Sequence, residues 1–211
     1  MIDRLIEALI YLPIILFSLS LHELAHGYAA YKLGDNTAKA YGRLTLNPLA
    51  HIDLIGTISM MFFRFGWAKP VPVNFSNLKY KRLGPILVSV AGPLSNFLLA
   101  AVVMVIYSIC FALKVPMHNF VLDYIGMTIQ LNVILAAFNL IPLPPLDGSK
   151  IILSLFPYKL QFTVYKYEPY IQIALFAMLY FGVLDPVINT IASFALNILS
   201  DMGEFVYKIF A

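Results

Sequence analysis

The sequence predicts an all-α polytopic membrane protein, a bundle of about five to six transmembrane helices with a re-entrant, partly β-hairpin loop between the first two. Three observations carry that prediction. Hydrophobic residues make up 61% and charged residues 12% of the chain, and the mean hydropathy is +0.83; an average soluble domain is roughly 25% charged. Long charge-free runs recur, each able to cross ~30 Å of hydrocarbon as a helix. Between the first two runs lies a segment dense in helix breakers. The 211 residues allow one compact domain, 1–211, read as a core over about 5–150 with additional C-terminal helices over about 169–211.

The first span covers about Leu5 to Tyr31. Asp3, Arg4 and Glu7 precede or open it, so it lacks the cationic start of a secretory signal, and no small-residue cleavage site closes it; it is expected to be retained as structure. Residues 32 to 83 then bring Gly34, Gly42, Asn47-Pro48, Gly56, Gly66, Pro70 and Pro72, which argue against a continuous spanning helix. Within them Ile52 to Phe63 is apolar but too short to cross, and is expected to be re-entrant or interfacial. Lys69-Pro70-Val71-Pro72-Val73-Asn74-Phe75 alternates like an edge strand or extended hairpin. Such backbone is allowed at membrane depth only where it packs on protein or lines a wet cavity. The second span, Ile86 to Leu113, has no charge, and neither does the third, Tyr124 to Leu146. Pro169 to Ser200 carries only Asp185, and Asp185-Pro186 near its middle predicts two shorter helices with a turn between them. The tail from Asp201 is short and mixed. The lone Cys110 sits in an apolar run as a small buried residue, so no internal disulfide can form.

Charge placement sets an expected orientation. Residues 32 to 83 hold eight Lys or Arg against Asp35 and Asp53, the loop around Lys114 to Asp123 is nearly neutral, and the next carries Lys150, Lys159 and Lys166 against Glu168. By the positive-inside bias the first and third long loops face the cytoplasm. The net charge of +3 is then a matter of topology and calls for no nucleic-acid partner.

His22-Glu23-Leu24-Ala25-His26 interrupts the first apolar run with three polar side chains. On a helix the histidines, four residues apart, share a face and can bind one metal ion, with Glu23 beside them to take a proton from water. Two solvated surface histidines are the bland alternative, but unpaired polar groups in a membrane-length helix cost at least ~2.5 kcal/mol each. A catalytic zinc usually takes three protein ligands and an open position. The expected topology returns the third span to the side on which the first ends, so Asp147, closing that span, falls at a depth similar to the histidines. It is the candidate third ligand. Three prolines in Asn139-Leu140-Ile141-Pro142-Leu143-Pro144-Pro145-Leu146-Asp147-Gly148 must unwind the helix end and let Asp147 turn inward.

The pairing of His22-Glu23-Leu24-Ala25-His26 with the Asn139 to Gly148 run resembles the site-2 protease family of intramembrane zinc metalloproteases, peptidase M50. Ala91-Gly92-Pro93-Leu94-Ser95-Asn96 resembles that family's middle motif, and Asn47-Pro48-Leu49-Ala50-His51-Ile52-Asp53 with Lys69 to Phe75 resembles its re-entrant region. The resemblance covers the chain through about residue 150. It implies one zinc on His22, His26 and Asp147, Glu23 as general base, and Asn139 steadying substrate backbone or oxyanion. It implies hydrolysis of peptide bonds in or near transmembrane segments of other membrane proteins, as in regulated intramembrane proteolysis. Expected partners are such substrates and the lipid bilayer, in a multi-pass cell-membrane protein whose site lies nearer the cytoplasm; the sequence says nothing of oligomeric state. Ala100 departs from a position where the middle motif often continues with a polar residue. The length leaves no room for the PDZ or CBS domains of other branches, so a compact form is expected.

Other residues carry plainer expectations. His51 either hydrogen-bonds near the site or holds the re-entrant loop, and His118 is solvated in an outer loop. Asn96 and Asn132 read as interhelical glue worth ~0.6 kcal/mol. Trp67 and Tyr80 suit membrane-interface anchoring. Gly27, Ala29 and Ala30 either admit a substrate helix or serve internal packing. Two rival functions remain: a zinc-binding scaffold or pseudoprotease, which has no need of Glu23, and a transporter, which would be expected to show ligands along a path or repeated broken helices.

Overall fold

A computed structural model describes residues 2–53, 56 and 69–211. The chain divides into two compact units, Met1–Gly92 and Pro93–Ala211. Among the described residues the regular structure is helical and no strand is assigned. Lys69 to Asn74 is irregular backbone rather than one arm of a hairpin, since Pro70 and Pro72 lack the N–H groups a ladder needs. The expected re-entrant stretch Ile52 to Phe63 lies for the most part outside the described residues, as does Trp67.

In the first unit α1 (Ile2–Lys32) carries a candidate membrane span at Ile10–Lys32. It is followed by a short helix α2 (Thr37–Ala40) and two 3-10 turns, Pro48–Ala50 and Phe75–Asn77. Each turn is opened by an asparagine whose side chain accepts a backbone N–H: Asn47 from Leu49 and Asn74 from Ser76. The chain leaving α1 is tied back by Asp35, which is fully buried and accepts from Thr37 N (3.1 Å), the Thr37 hydroxyl, Asn74 N (2.7 Å) and Asn77 Nδ2 (2.9 Å). Ala30, Leu78 and Val88 form the local core, flanked by Ala29, Leu33, Val73 and Phe75. One carboxylate and one small apolar cluster therefore fix the 69–78 segment against the end of α1.

Helix α3 (Leu83–Ala112) begins in the first unit and supplies the second candidate span. In the second unit it is followed by α4 (Asn119–Asn139), the third candidate span, and α5 (Asp147–Leu153). Then come α6 (Tyr158–Lys166), α7 (Glu168–Tyr180) and α8 (Asp185–Phe210). The expected third span stops at Asn139 because Pro142, Pro144 and Pro145 cannot continue it. The Pro144–Pro145 bond is cis. Helices α7 and α8 are bent by 77° at a short break, the turn anticipated at Asp185-Pro186. The described residues thus hold three helices able to span a membrane, or four if the bent pair is one span, against the five to six expected. Helix α6 was not anticipated, and α8 extends through the tail.

Ala100, Ile129, Val133, Ala137, Ala192 and Leu199 pack α3, α4 and α8 together, while Ile141, Leu146, Leu175 and Leu184 seat the stretch after α4 against α7. The outer face of α3 is the reverse of a soluble helix. Leu94, Leu98, Val102 and Ile106, each four residues on, are about half exposed (49–55%). A contiguous apolar stripe of this kind is stable facing lipid tails, not water.

Candidate metal centre

His22, Glu23 and His26 belong to the first unit; Asn139 and Asp147 belong to the second. In the first unit the helical repeat of α1 stacks the two imidazoles one turn apart. Both are buried, their rings meet edge to face with centroids 4.6 Å apart, and their Nε2 atoms are 3.0 Å apart. His26 Nδ1 lies 2.7 Å from the Val88 carbonyl oxygen. A carbonyl only accepts, so Nδ1 carries the ring proton and Nε2 presents a lone pair, the tautomer a metal requires. Two nitrogens bound tetrahedrally at ~2.0–2.1 Å to one zinc stand about 3.3 Å apart. The observed pair fits that spacing to within a few tenths of an ångström.

Gly92, in the first half of α3, makes room for the pair. A Cβ there would lie 2.3 Å from His26 Nε2 and 2.6 Å from His22 Cε1. The glycine of the middle motif is thus explained by close approach: the helix backbone itself is the wall of the histidine cradle.

Glu23, beside His22 in sequence, is partly buried, and its Oε2 accepts the Val71 backbone N–H at 2.7 Å. This partner was not foreseen. Its only sequence signal is that Pro70 and Pro72 leave Val71 as the one amide donor between them. Gly27, one residue past His26, is closed over by the chain's own Leu44, Val71 and Ala38, at 2.8–3.2 Å from an added Cβ, and Ala30 sits in the local core. At both positions the small residues serve internal packing.

In the second unit Asp147 is the first residue of α5 and is 4% exposed. Its Oδ1 accepts from Lys150 Nζ at 3.1 Å, one turn along. Gly148 allows α5 to start hard against the end of α4, for a Cβ there would meet the Leu140 carbonyl oxygen at 2.2 Å and that of Ile141 at 2.5 Å. Asp147 is therefore buried at the start of a helix whose backbone packs on the end of α4. Asn139 ends α4 with its side-chain amide donating to the Leu135 carbonyl at 3.0 Å. One of its two amide hydrogens is thereby used within the helix.

His51 is buried, with Nε2 2.9 Å from the Thr45 carbonyl and its own carbonyl accepting from Lys69 N, so in this unit it ties loop segments together. His118 is exposed and caps α4, accepting from Phe120 N. Asn96 Nδ2 donates to Asn132 Oδ1 at 2.8 Å, the interhelical link expected of them.

The sequence matches Peptidase family M50 over residues 109–182, a stretch that contains Asn139 and Asp147 but neither His22 nor His26. It is 47% identical over 154 residues to a Bacillus subtilis protein named "Putative zinc metalloprotease YwhC", covering 68% of this chain and 67% of that one. It is 29% identical over 141 residues to "Putative zinc metalloprotease Rip2" of Mycolicibacterium smegmatis, covering 63% and 52%. With "Zinc metalloprotease MJ0392" of Methanocaldococcus jannaschii it shares 30% identity, covering 66% and 32%. The match thus spans two thirds of the Bacillus relative, about half of the mycobacterial one and a third of the archaeal one. No solved structure matches significantly.

Proposed function

The chain belongs to peptidase family M50, the site-2 protease family, and from that premise we propose that it is an intramembrane zinc endopeptidase. Its substrates, on this reading, are peptide bonds in or near transmembrane segments of other membrane proteins. The single observation that carries it is the buried His22–His26 pair, with Nε2 atoms 3.0 Å apart and the His26 tautomer fixed by the Val88 carbonyl. Two imidazole nitrogens brought this close on one face of an apolar helix suit a shared cation.

His22, His26 and Asp147 are each buried in their own unit, and as the residues that match the family's ligand motifs they are the donors proposed for one zinc per chain. Zinc held there supplies Lewis-acid activation of water and of a carbonyl group. Glu23 takes a proton from the attacking water and passes it to the leaving amine nitrogen as the C–N bond breaks. Val71 N–H engages Oε2, which leaves Oε1 for that proton. The second amide hydrogen of Asn139 donates to the substrate carbonyl oxygen as it gains charge. A helical substrate must unwind locally to expose that carbonyl, since its own N–H groups otherwise cover it.

The proposal includes a multi-pass cell-membrane location with the site nearer the cytoplasm, supported by the eight Lys and Arg of residues 32 to 83. It also includes the fuller helix count, in which residues 52–63 re-enter the bilayer. Glu23→Gln is expected to retain zinc while losing cleavage of a transmembrane test substrate in liposomes by about 10²–10⁴-fold. Undiminished cleavage by this variant would remove the catalytic assignment.

A further inference from the structure

We infer that Arg43 is a positioning residue for Glu23, acting through the peptide unit between Pro70 and Val71. The inference rests on the reading of Glu23 as general base. All the groups involved lie in the first unit. Arg43 Nη2 donates to the Lys69 carbonyl at 2.7 Å and makes a longer 3.4 Å contact to the Pro70 carbonyl. That second carbonyl belongs to the same peptide group whose N–H, on Val71, reaches Glu23 Oε2 at 2.7 Å. A cation at the oxygen end of a peptide and a carboxylate at its N–H end polarise it in the same sense, so the two hydrogen bonds strengthen one another.

The flanking residues make this link specific. Pro70 and Pro72 have no N–H, so a slip of one residue in either direction would present Glu23 with no donor. The segment is pinned on both sides of Val71. Lys69 N bonds to the His51 carbonyl, and Asn74 N bonds to the buried Asp35 carboxylate. Of these anchors it is Arg43 that contacts the peptide carrying the donor, through the Pro70 carbonyl. Its Nε is buried without a hydrogen-bond partner among the described residues, and its bonds to the segment run through Nη2. One terminal cationic donor is thus the essential element, and a lysine can supply it.

The test is carried out on the full chain in liposomes with a single-span helical test substrate of about 20 apolar residues. Arg43→Met is expected to lower kcat about 10–100-fold, because a catalytic group displaced by about an ångström loses that much. Zinc stoichiometry and thermal midpoint should stay at wild-type values, with KM within about threefold, since neither ligands nor substrate contacts are touched. Arg43→Lys should recover kcat to within about threefold. Val71→Pro removes the N–H directly, and combining it with Arg43→Met should cost no more than the larger single effect. Wild-type kcat in Arg43→Met overturns the inference. So does a joint fall of zinc content, KM performance and thermal midpoint, which marks a merely structural tie. If Val71→Pro does not fold, the Met and Lys variants decide alone. Glu23→Gln runs alongside: if it cleaves normally, the general-base reading itself fails, whereas an inert Glu23→Gln with a normal Arg43→Met removes only the role of Arg43.

Discussion

Replacing Gly92 with alanine places a methyl carbon 2.3 Å from His26 Nε2 and 2.6 Å from the Cε1 atoms of both histidines. Ordinary contact begins near 3.5 Å, so the overlap exceeds an ångström and falls on the atoms proposed to bind zinc. The imidazoles must move, and overpacking of this sort costs about 1–3 kcal/mol. If that cost falls on the metal-ready arrangement, zinc affinity drops about 5–150-fold. Intrinsic helix propensity pulls the other way, favouring alanine by about 1 kcal/mol. The prediction is therefore a split: weaker zinc binding with undiminished helix content. Competition against a zinc chelator on detergent-solubilised protein measures the first, and circular dichroism with thermal melting measures the second. Gly126→Ala in α4 is the control, because among the described residues nothing lies within 4 Å of an added Cβ there. It should stabilise by about 0.5–1 kcal/mol and leave zinc binding alone. If Gly92→Ala behaves like Gly126→Ala, the glycine does not serve the histidine cradle and the reasoning fails.

Two further outcomes can be measured without an activity assay. Asn96→Leu and Asn132→Leu should each destabilise, and the double variant should lose less than the sum, with a coupling of about 0.6–1.7 kcal/mol in a double-mutant cycle. Burial raises the pKa of the Asp35 carboxyl, but hydrogen bonds from the Thr37 and Asn77 side chains and the Asn74 and Thr37 amides outweigh it and hold the carboxyl below its usual range. A depressed folded-state value means the stabilisation is complete above the unfolded pKa of about 3.9 and is lost as pH falls through the lower folded value. Asp35→Asn should flatten the stability profile in that acid window, followed by melting from pH 2 to 6, a range of about four units around that value. An unchanged acid limb would show that Asp35 does not contribute to it.

What could be read ahead of the structure was whatever depends on local periodicity or local covalent limits. The i, i+4 spacing of His22 and His26 puts them on one face of any helix, and three prolines after Ile141 end α4 whatever surrounds it. Asp185-Pro186 marked a bend for the same reason. The Glu23–Val71 bond escaped because a backbone N–H has no residue letter, and 48 positions separate the partners. Helix α6 escaped because Tyr158–Lys166 is short and mixed and buries no residue fully, so no long apolar run marks it. Gly92 was noted as part of a motif, but its reason is the position of an atom from another helix. Of the five to six spans expected, the described residues hold three, or four if the bent pair is one span.

The half-exposed row Leu94, Leu98, Val102 and Ile106 gives the surrounding solvent a mechanical part in this enzyme. Hydrocarbon chains finish the packing that protein atoms leave open along α3, so an amphiphile that covers the row poorly alters the same helix whose first turns hold Gly92 and Val88. Rates measured in different detergents then report on the coat as much as on the polypeptide. A lipid whose acyl length matches the row is the proper reference state for this molecule.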